Sequence, residues 1–145
     1  MLFGKRKQVV KRILMVVDEP LTAFDNENLL GDAGYEIVAT VDDLHEAIEK
    51  LDEEEVHLVV SDVRLRKDQT GIQLGREAKK RGVPILFVTG YPHPEASEVG
   101  IGCLLKPYSG RQLSKAIDCV DRHLQGHKVK APKGLELFVV VRDAE

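Results

Sequence analysis

The sequence predicts a doubly wound α/β fold, a parallel sheet covered by helices on both faces. Two observations lead there. Short apolar runs alternate five times with helix-compatible stretches, and right-handed crossovers leave few topologies for so small a unit of that pattern. Four of the runs also end on polar side chains: Asp18 with Glu19, Asp62, Thr89 and Lys106. In an open parallel sheet the carboxyl ends of the strands form the rim where ligands bind. A length of 145 residues suits a single domain with a tail at one or both ends.

Composition narrows the class. Hydrophobic residues make up 43% and charged residues 31%, as in soluble globular proteins. The net charge of −3 is too small to indicate a partner, and neither a nucleic acid nor a membrane is expected. No apolar run approaches the roughly eighteen residues of a membrane span. Residues 1–12 form a basic arm carrying Lys5, Arg6, Lys7, Lys11 and Arg12. It lacks the apolar segment and cleavage site of a secretory signal and reads as a solvated leader, with surface or partner binding as the weaker alternative. Cys103 and Cys119 make neither a disulfide framework nor a zinc site, so a reduced cytoplasmic protein is expected.

The elements follow in order. Residues 13–17, Ile-Leu-Met-Val-Val, form the first strand, stopped by Asp18-Glu19-Pro20. Over 21–32, Leu21, Phe24 and Leu29 are spaced as one helix face, with Gly34 placed to end it. Residues 35–41 form a second strand. Asp43 and Glu46 make a capping box, after which Leu44, Ala47, Ile48 and Leu51 form an i, i+3, i+4, i+7 stripe. Residues 56–62, Val-His-Leu-Val-Val-Ser-Asp, read as a strand buried on both faces that presents the Asp62 carboxylate. A polar loop, 64–71, leads to a helix over about 72–81, stopped by Gly82. Residues 84–88 form the fourth strand, ending on Thr89-Gly90. Pro92, Pro94 and Gly100 leave room for at most one or two helical turns in 91–100. Residues 101–105 form a fifth strand ending on Lys106-Pro107. The last helix carries Leu113, Ala116, Ile117, Val120 and Leu124 on one face. The domain then spans 13–125, and 126–145 is a linker followed by an apolar, strand-like tail over 135–141, expected to dock on the domain or on a partner because an exposed apolar strand invites aggregation.

The chemistry follows from the residue types at the rim. Clustered carboxylates repel one another and need a cation. All-oxygen ligands with open water positions suit magnesium, and a carboxylate beside that metal can attack a phosphoryl group to form an aspartyl phosphate. Metal and lysine would offset charge on the transferring oxygens, and a hydroxyl could donate to one of them. Singly, each residue has a bland explanation as a cap, a turn residue or a solvated charge; the joint pattern carries the reading.

On Val16-Val17-Asp18-Glu19-Pro20, Ser61-Asp62-Val63-Arg64, Thr89 and Lys106-Pro107, the chain over about 12–125 resembles a receiver domain of a two-component response regulator. The resemblance implies a flavodoxin-like five-stranded sheet in the order 2-1-3-4-5, here with a shortened or disordered fourth helix. It implies that Asp62 accepts phosphate from a histidine kinase or phosphotransfer protein. It also implies that Asp18, Asp62 and the backbone carbonyl of Arg64 bind Mg2+. Thr89 and Lys106 would contact the phosphoryl group, and the Lys106–Pro107 bond would be cis. Such a domain catalyses only its own phosphorylation and dephosphorylation. Pro84-Ile85-Leu86-Phe87-Val88-Thr89-Gly90-Tyr91 is also similar to the Pro-Phe-x-Phe-Ala-Thr-Gly-Tyr signature of mostly single-domain regulators from alphaproteobacteria.

Two departures from the family pattern stand out. Either Val17 occupies the first of two usual acid positions, leaving Asp18 alone, or Asp18-Glu19 is the pair. The first register is favoured because the Glu-Pro match extends into Leu21, and weaker metal affinity would follow. Cys103 stands where receivers carry their switch aromatic, which makes Tyr91 the aromatic candidate for that role and 91–100 a candidate order–disorder element. Ser61 and the five histidines need no special role; His57, His93, His123 and His127 are scattered, and His45 faces solvent. With about twenty residues after Leu124, output is expected through protein contacts or as a phosphate sink. The alternatives are a protein-binding module that lost the chemistry and a phosphatase of the haloacid dehalogenase type. The latter ranks last, because Arg64 stands where its second aspartate would be needed.

Overall fold

The computed structural model describes residues 8–18 and 20–138. Its elements are β1 (Arg12–Val16), α1 (Pro20–Asp32), β2 (Glu36–Val41), α2 (Leu44–Glu53), β3 (Leu58–Asp62), α3 (Gly71–Lys80), β4 (Ile85–Thr89), α4 (Ala96–Val99), β5 (Gly102–Leu105), α5 (Gly110–Leu124) and β6 (Leu135–Leu137). The strands form one sheet in the order β2-β1-β3-β4-β5-β6. The first five are parallel, so the predicted doubly wound arrangement is present, and it gains an antiparallel sixth strand.

The apolar runs became central strands because both their faces are covered. Every residue of β3 and β4 is buried. Alternate residues face opposite layers: Ile13, Met15, Leu86 and Val88 pack with Leu113, Ile117 and Val120 of α5. Leu14, Val16, Val59 and Phe87 pack with Ala47 and Leu51 of α2 and Leu74 and Ala78 of α3. At the sheet edge β2 is mostly half-buried, which matches its mixed sequence.

Helix starts are fixed by side chains that satisfy otherwise orphaned N–H groups. Asp43 accepts from the N–H of His45 and Glu46 at 2.9 and 3.2 Å, but Glu46 makes no return bond, so only half of the predicted capping box forms. Complete boxes occur where none was expected, between Thr70 and Gln73 and between Ser109 and Gln112. Gly34 and Gly82 leave their helices at φ +99° and +73°, backbone that glycine adopts without a Cβ penalty. Helix α4 has only four residues, consistent with the prolines ahead of it and Gly100 behind.

Both ends of the domain are tied down. Asp121, fully buried in α5, accepts the backbone N–H of Val9 and Val10 at 2.7 and 2.8 Å. Val10 is itself buried, so the last residues of the basic arm are docked, not solvated; residues 1–7 lie outside the described residues. The chain after α5 returns to lay β6 against β5, with Leu135 opposite Leu104 and Leu137 opposite Gly102. Gly102 permits this approach, because a Cβ there would lie 2.7 Å from the Glu136 carbonyl oxygen. The predicted tail strand thus docks in cis over its first three residues, and 139–141 lie outside the described residues.

Candidate functional site

Asp62 closes β3 and is only 6% exposed. Both carboxylate oxygens are engaged: Oδ1 pairs with Lys106 Nζ at 2.8 Å, and Oδ2 accepts the backbone N–H of Asp18 at 2.7 Å. A buried carboxylate requires such partners. Its main chain is fixed equally firmly. The Ser61 hydroxyl donates to the Asp62 carbonyl at 2.8 Å, and the Gly71 N–H donates to the Val63 carbonyl at 2.6 Å. A Cβ on residue 71 would stand 2.2 Å from the Asp62 carbonyl oxygen. Only glycine lets the start of α3 come this close to the end of β3.

Neighbouring strand ends complete the rim. Thr89, 6% exposed at the end of β4, donates its hydroxyl to the Tyr91 carbonyl at 3.0 Å. Lys106 donates its backbone N–H to the Thr89 carbonyl at 2.8 Å, and the Lys106–Pro107 bond is cis, as the resemblance implied. Asp18, Asp62, Arg64, Thr89, Tyr91, His93 and Lys106 line one cavity of about 150 Å3. The strand order therefore brings together residues up to 88 positions apart in the chain, from Asp18 to Lys106. Glu19 lies outside the described residues.

The loop predicted after β3 is a small hairpin. Lys67 and Asp68 take φ of +58° and +60°, the two left-handed positions of a tight type I′ turn, closed by Gln69 N–H to the Arg66 carbonyl at 3.1 Å. Arg64 sits opposite Thr70 in a bridge whose hydrogen bonds are made by the flanking residues, Leu65 to Gln69 and Gly71 to Val63. Arg64's own N–H and C=O consequently point away from the hairpin partner.

The resemblance implies a magnesium ion, and the donor chemistry fits one. The oxygens on offer are the carboxylates of Asp18 and Asp62 and the carbonyl of Arg64, with no sulfur ligand. Magnesium keeps several waters and takes one or two carboxylates. Among the described residues no group of three acidic, histidine or cysteine side chains could hold a metal. Val17 is 7% exposed and packed in the α5-side core, so the position before Asp18 offers no carboxylate.

The switch positions are also resolved. Cys103 is buried on β5 among Phe87 and Ala96, and burial, reinforced by the charge of Glu136, pushes its thiol up to about 11. Beside it lies a cavity of about 430 Å3, walled by 92–94 and Ser97 on one side and by Leu135, Glu136 and Phe138 on the other. Tyr91 is 51% exposed, its ring 4.9 Å from that of His93. Burial raises the Tyr108 hydroxyl first and the Asp62 charge second, against a hydrogen bond with Asn26 that lowers it.

Sequence reasoning passed over His93, Ser61 and Gly71. Ser61 and Gly71 act through close approach of two backbones, and His93 reaches the cavity through the path of an irregular loop. None of these leaves a periodic signal. His57, also dismissed, accepts the backbone N–H of Lys11 and Arg12 at 3.0 and 3.1 Å, which is a structural task.

Comparison with known proteins agrees with this geometry. The family model of the response regulator receiver domain matches residues 13–118. The transcriptional regulatory protein PdtaR of Mycobacterium tuberculosis is 35% identical over 117 residues, covering 76% of this chain and 56% of that protein. The chain therefore spans about half the length of that relative. Among solved structures, the chemotaxis response regulator CheY4 of Vibrio cholerae is 27% identical with a TM-score of 0.68, covering 75% of this chain and 97% of that one. A response regulator receiver protein from Sinorhizobium medicae is 30% identical with a TM-score of 0.64, covering 75% and 92%.

Proposed function

Because the chain belongs to the response regulator receiver family, we propose that Asp62 takes a phosphoryl group from a phosphohistidine on a kinase or phosphotransfer protein. The single observation that carries this reading is the acceptor's setting. Asp62 is a buried carboxylate at a strand's carboxyl end, held between Lys106 Nζ and the Asp18 N–H and facing a cavity it shares with Thr89.

In this reading an Asp62 oxygen attacks phosphorus, the P–N bond to the donor imidazole breaks, and an acyl phosphate forms. A magnesium ion held by Asp18, Asp62 and the Arg64 carbonyl would supply charge neutralisation for the phosphoryl oxygens. Lys106, already paired with Asp62, follows the charge onto the phosphoryl group. The Thr89 hydroxyl has one proton to donate, and it now goes to the Tyr91 carbonyl. Donating it to a phosphoryl oxygen frees the Tyr91 carbonyl and loosens residue 91 from the rim, while the His93 carbonyl keeps its bond from the Ala96 N–H. Tyr91 and residues 91–100 then report phosphorylation, in place of an aromatic at Cys103. The protein turns over no separate substrate, and its output is a protein contact or the removal of phosphate from a relay.

The buried Val17, which offers no carboxylate beside Asp18, favours a second reading: a protein-binding module that has lost phosphorylation. Incubation with magnesium and acetyl phosphate separates the two. The expected result is one phosphoryl mass on the wild type and none on Asp62→Asn. No adduct from acetyl phosphate or from any cognate kinase would leave the binding module standing.

A further inference from the structure

We infer that His93 accepts the proton of the water that hydrolyses the aspartyl phosphate, and so sets the lifetime of the signal. This rests on the reading of Asp62 as the acceptor. In the resting structure Asp62 and Thr89 are already engaged, and Arg64 and Tyr91 also line the cavity. The Asp62 oxygens are held by Lys106 and the Asp18 N–H, and the Thr89 hydroxyl is held by the Tyr91 carbonyl. Asp18 is the metal-directed carboxylate. His93 also lines this cavity, and among the described residues its ring has an aromatic neighbour but no hydrogen bond at either nitrogen.

Its position is built. Pro92 and Pro94 restrict the backbone on both sides, and the His93 carbonyl accepts the Ala96 N–H at 3.0 Å, anchoring the residue to the start of α4. The ring rests against Tyr91 at 4.9 Å, and His93 is half-buried and lines this cavity as well as the one beside Cys103. That suits a group that takes a proton from bound water and passes it on. In the step itself water oxygen bonds to phosphorus while the bond from phosphorus to the Asp62 oxygen breaks. The water proton goes to the imidazole, the Asp62 carboxylate is regenerated, and inorganic phosphate leaves. The proton then returns to solvent from the half-buried imidazole. The residue needs no role in forming the adduct, because the attacking carboxylate carries no proton.

The test follows the phosphoryl mass after the donor is removed. Wild type, His93→Gln and His93→Ala are each loaded with magnesium and acetyl phosphate. Loss of phosphate should then be about 100-fold slower in both variants, the lower end of the range for general-base catalysis. Added imidazole should shorten the lifetime in His93→Ala while leaving His93→Gln unchanged. Equal decay in all three proteins, or no rescue by imidazole, overturns the assignment and leaves the acceptor reading intact. Failure of the wild type to load overturns both.

Discussion

Gly71 shows how much of the site depends on atoms that do no chemistry. Its missing Cβ would stand 2.2 Å from the carbonyl of Asp62, and that oxygen belongs to backbone, which cannot swing aside. Gly71→Ala should therefore cost about 1–3 kcal/mol, as overpacking does, and should slow phosphorylation by moving the acceptor. Urea denaturation and the rate of adduct formation measure the two effects; an unchanged rate would show that α3 yields without disturbing β3. Cys103 makes a different prediction. Its thiol, ordinarily near 9.0, is pushed up to about 11 by burial and then by Glu136, so the folded state holds the proton more tightly than the unfolded chain does. The sign follows: this contribution to stability is whole below pH 9 and is lost as pH rises toward 11, at up to about 1.4 kcal/mol per pH unit. Replacing the thiol in Cys103→Val should flatten that part of the stability profile relative to wild type.

Among the elements, α4 is set apart by size. Its four residues bury Ala96 alone among them, and among the described residues the only side-chain bond that α3 sends to it is from the exposed Lys79 Nζ to the Glu98 carbonyl at 3.2 Å. Segments with few buried contacts open at low free energy. The loop that leads into it is joined to the rim by one threonine hydroxyl. Loading the acceptor with a phosphoryl mimic should therefore change amide exchange across 90–100 more than in β3 or α5. Unchanged exchange there would sink the proposed order–disorder readout. Strand β6 has the opposite character: ladder bonds and the buried Leu135 fix it to β5, so it acts as a cover for the sheet edge, which removes the hazard of an unpaired strand.

At the scale of the molecule, one sheet gathers an acid from β3, a hydroxyl from β4 and a cation from β5 on a single rim, and the energetics of the Asp62–Lys106 pair follow from that placement. Asp62 is nearly enclosed, while the Lys106 side chain is 45% exposed. Truncation is therefore asymmetric. Lys106→Ala strands a buried carboxylate and should cost about 1–3 kcal/mol. Asp62→Asn keeps an acceptor for the Asp18 N–H and returns Lys106 to water, so its thermal stability should stay near wild type or rise. Thermal unfolding of both variants checks the order; a strongly destabilised Asp62→Asn would mean that its failure to load is structural, not chemical.

Much of this was readable along the chain because it depends on local patterning. Runs such as Leu-Val-Val over 58–60 read as strands covered on both faces, the Leu44–Ala47–Ile48–Leu51 stripe read as an amphipathic helix, and the polar residues closing four of the strands marked the rim. These features pointed to the fold class, to Asp62 and to Lys106. Three things were left to the tertiary structure, since each depends on which distant backbones meet. Only the β3–α3 contact shows why residue 71 must be glycine. Only the return of the chain after α5 decides that residues 135–137 pair with their own β5 and not with another molecule. Only the fold of 91–95 carries His93, a residue without motif or periodicity, to the mouth of the acceptor cavity. Sequence patterns report which side of an element is buried; they carry no information about what an irregular loop is brought to face.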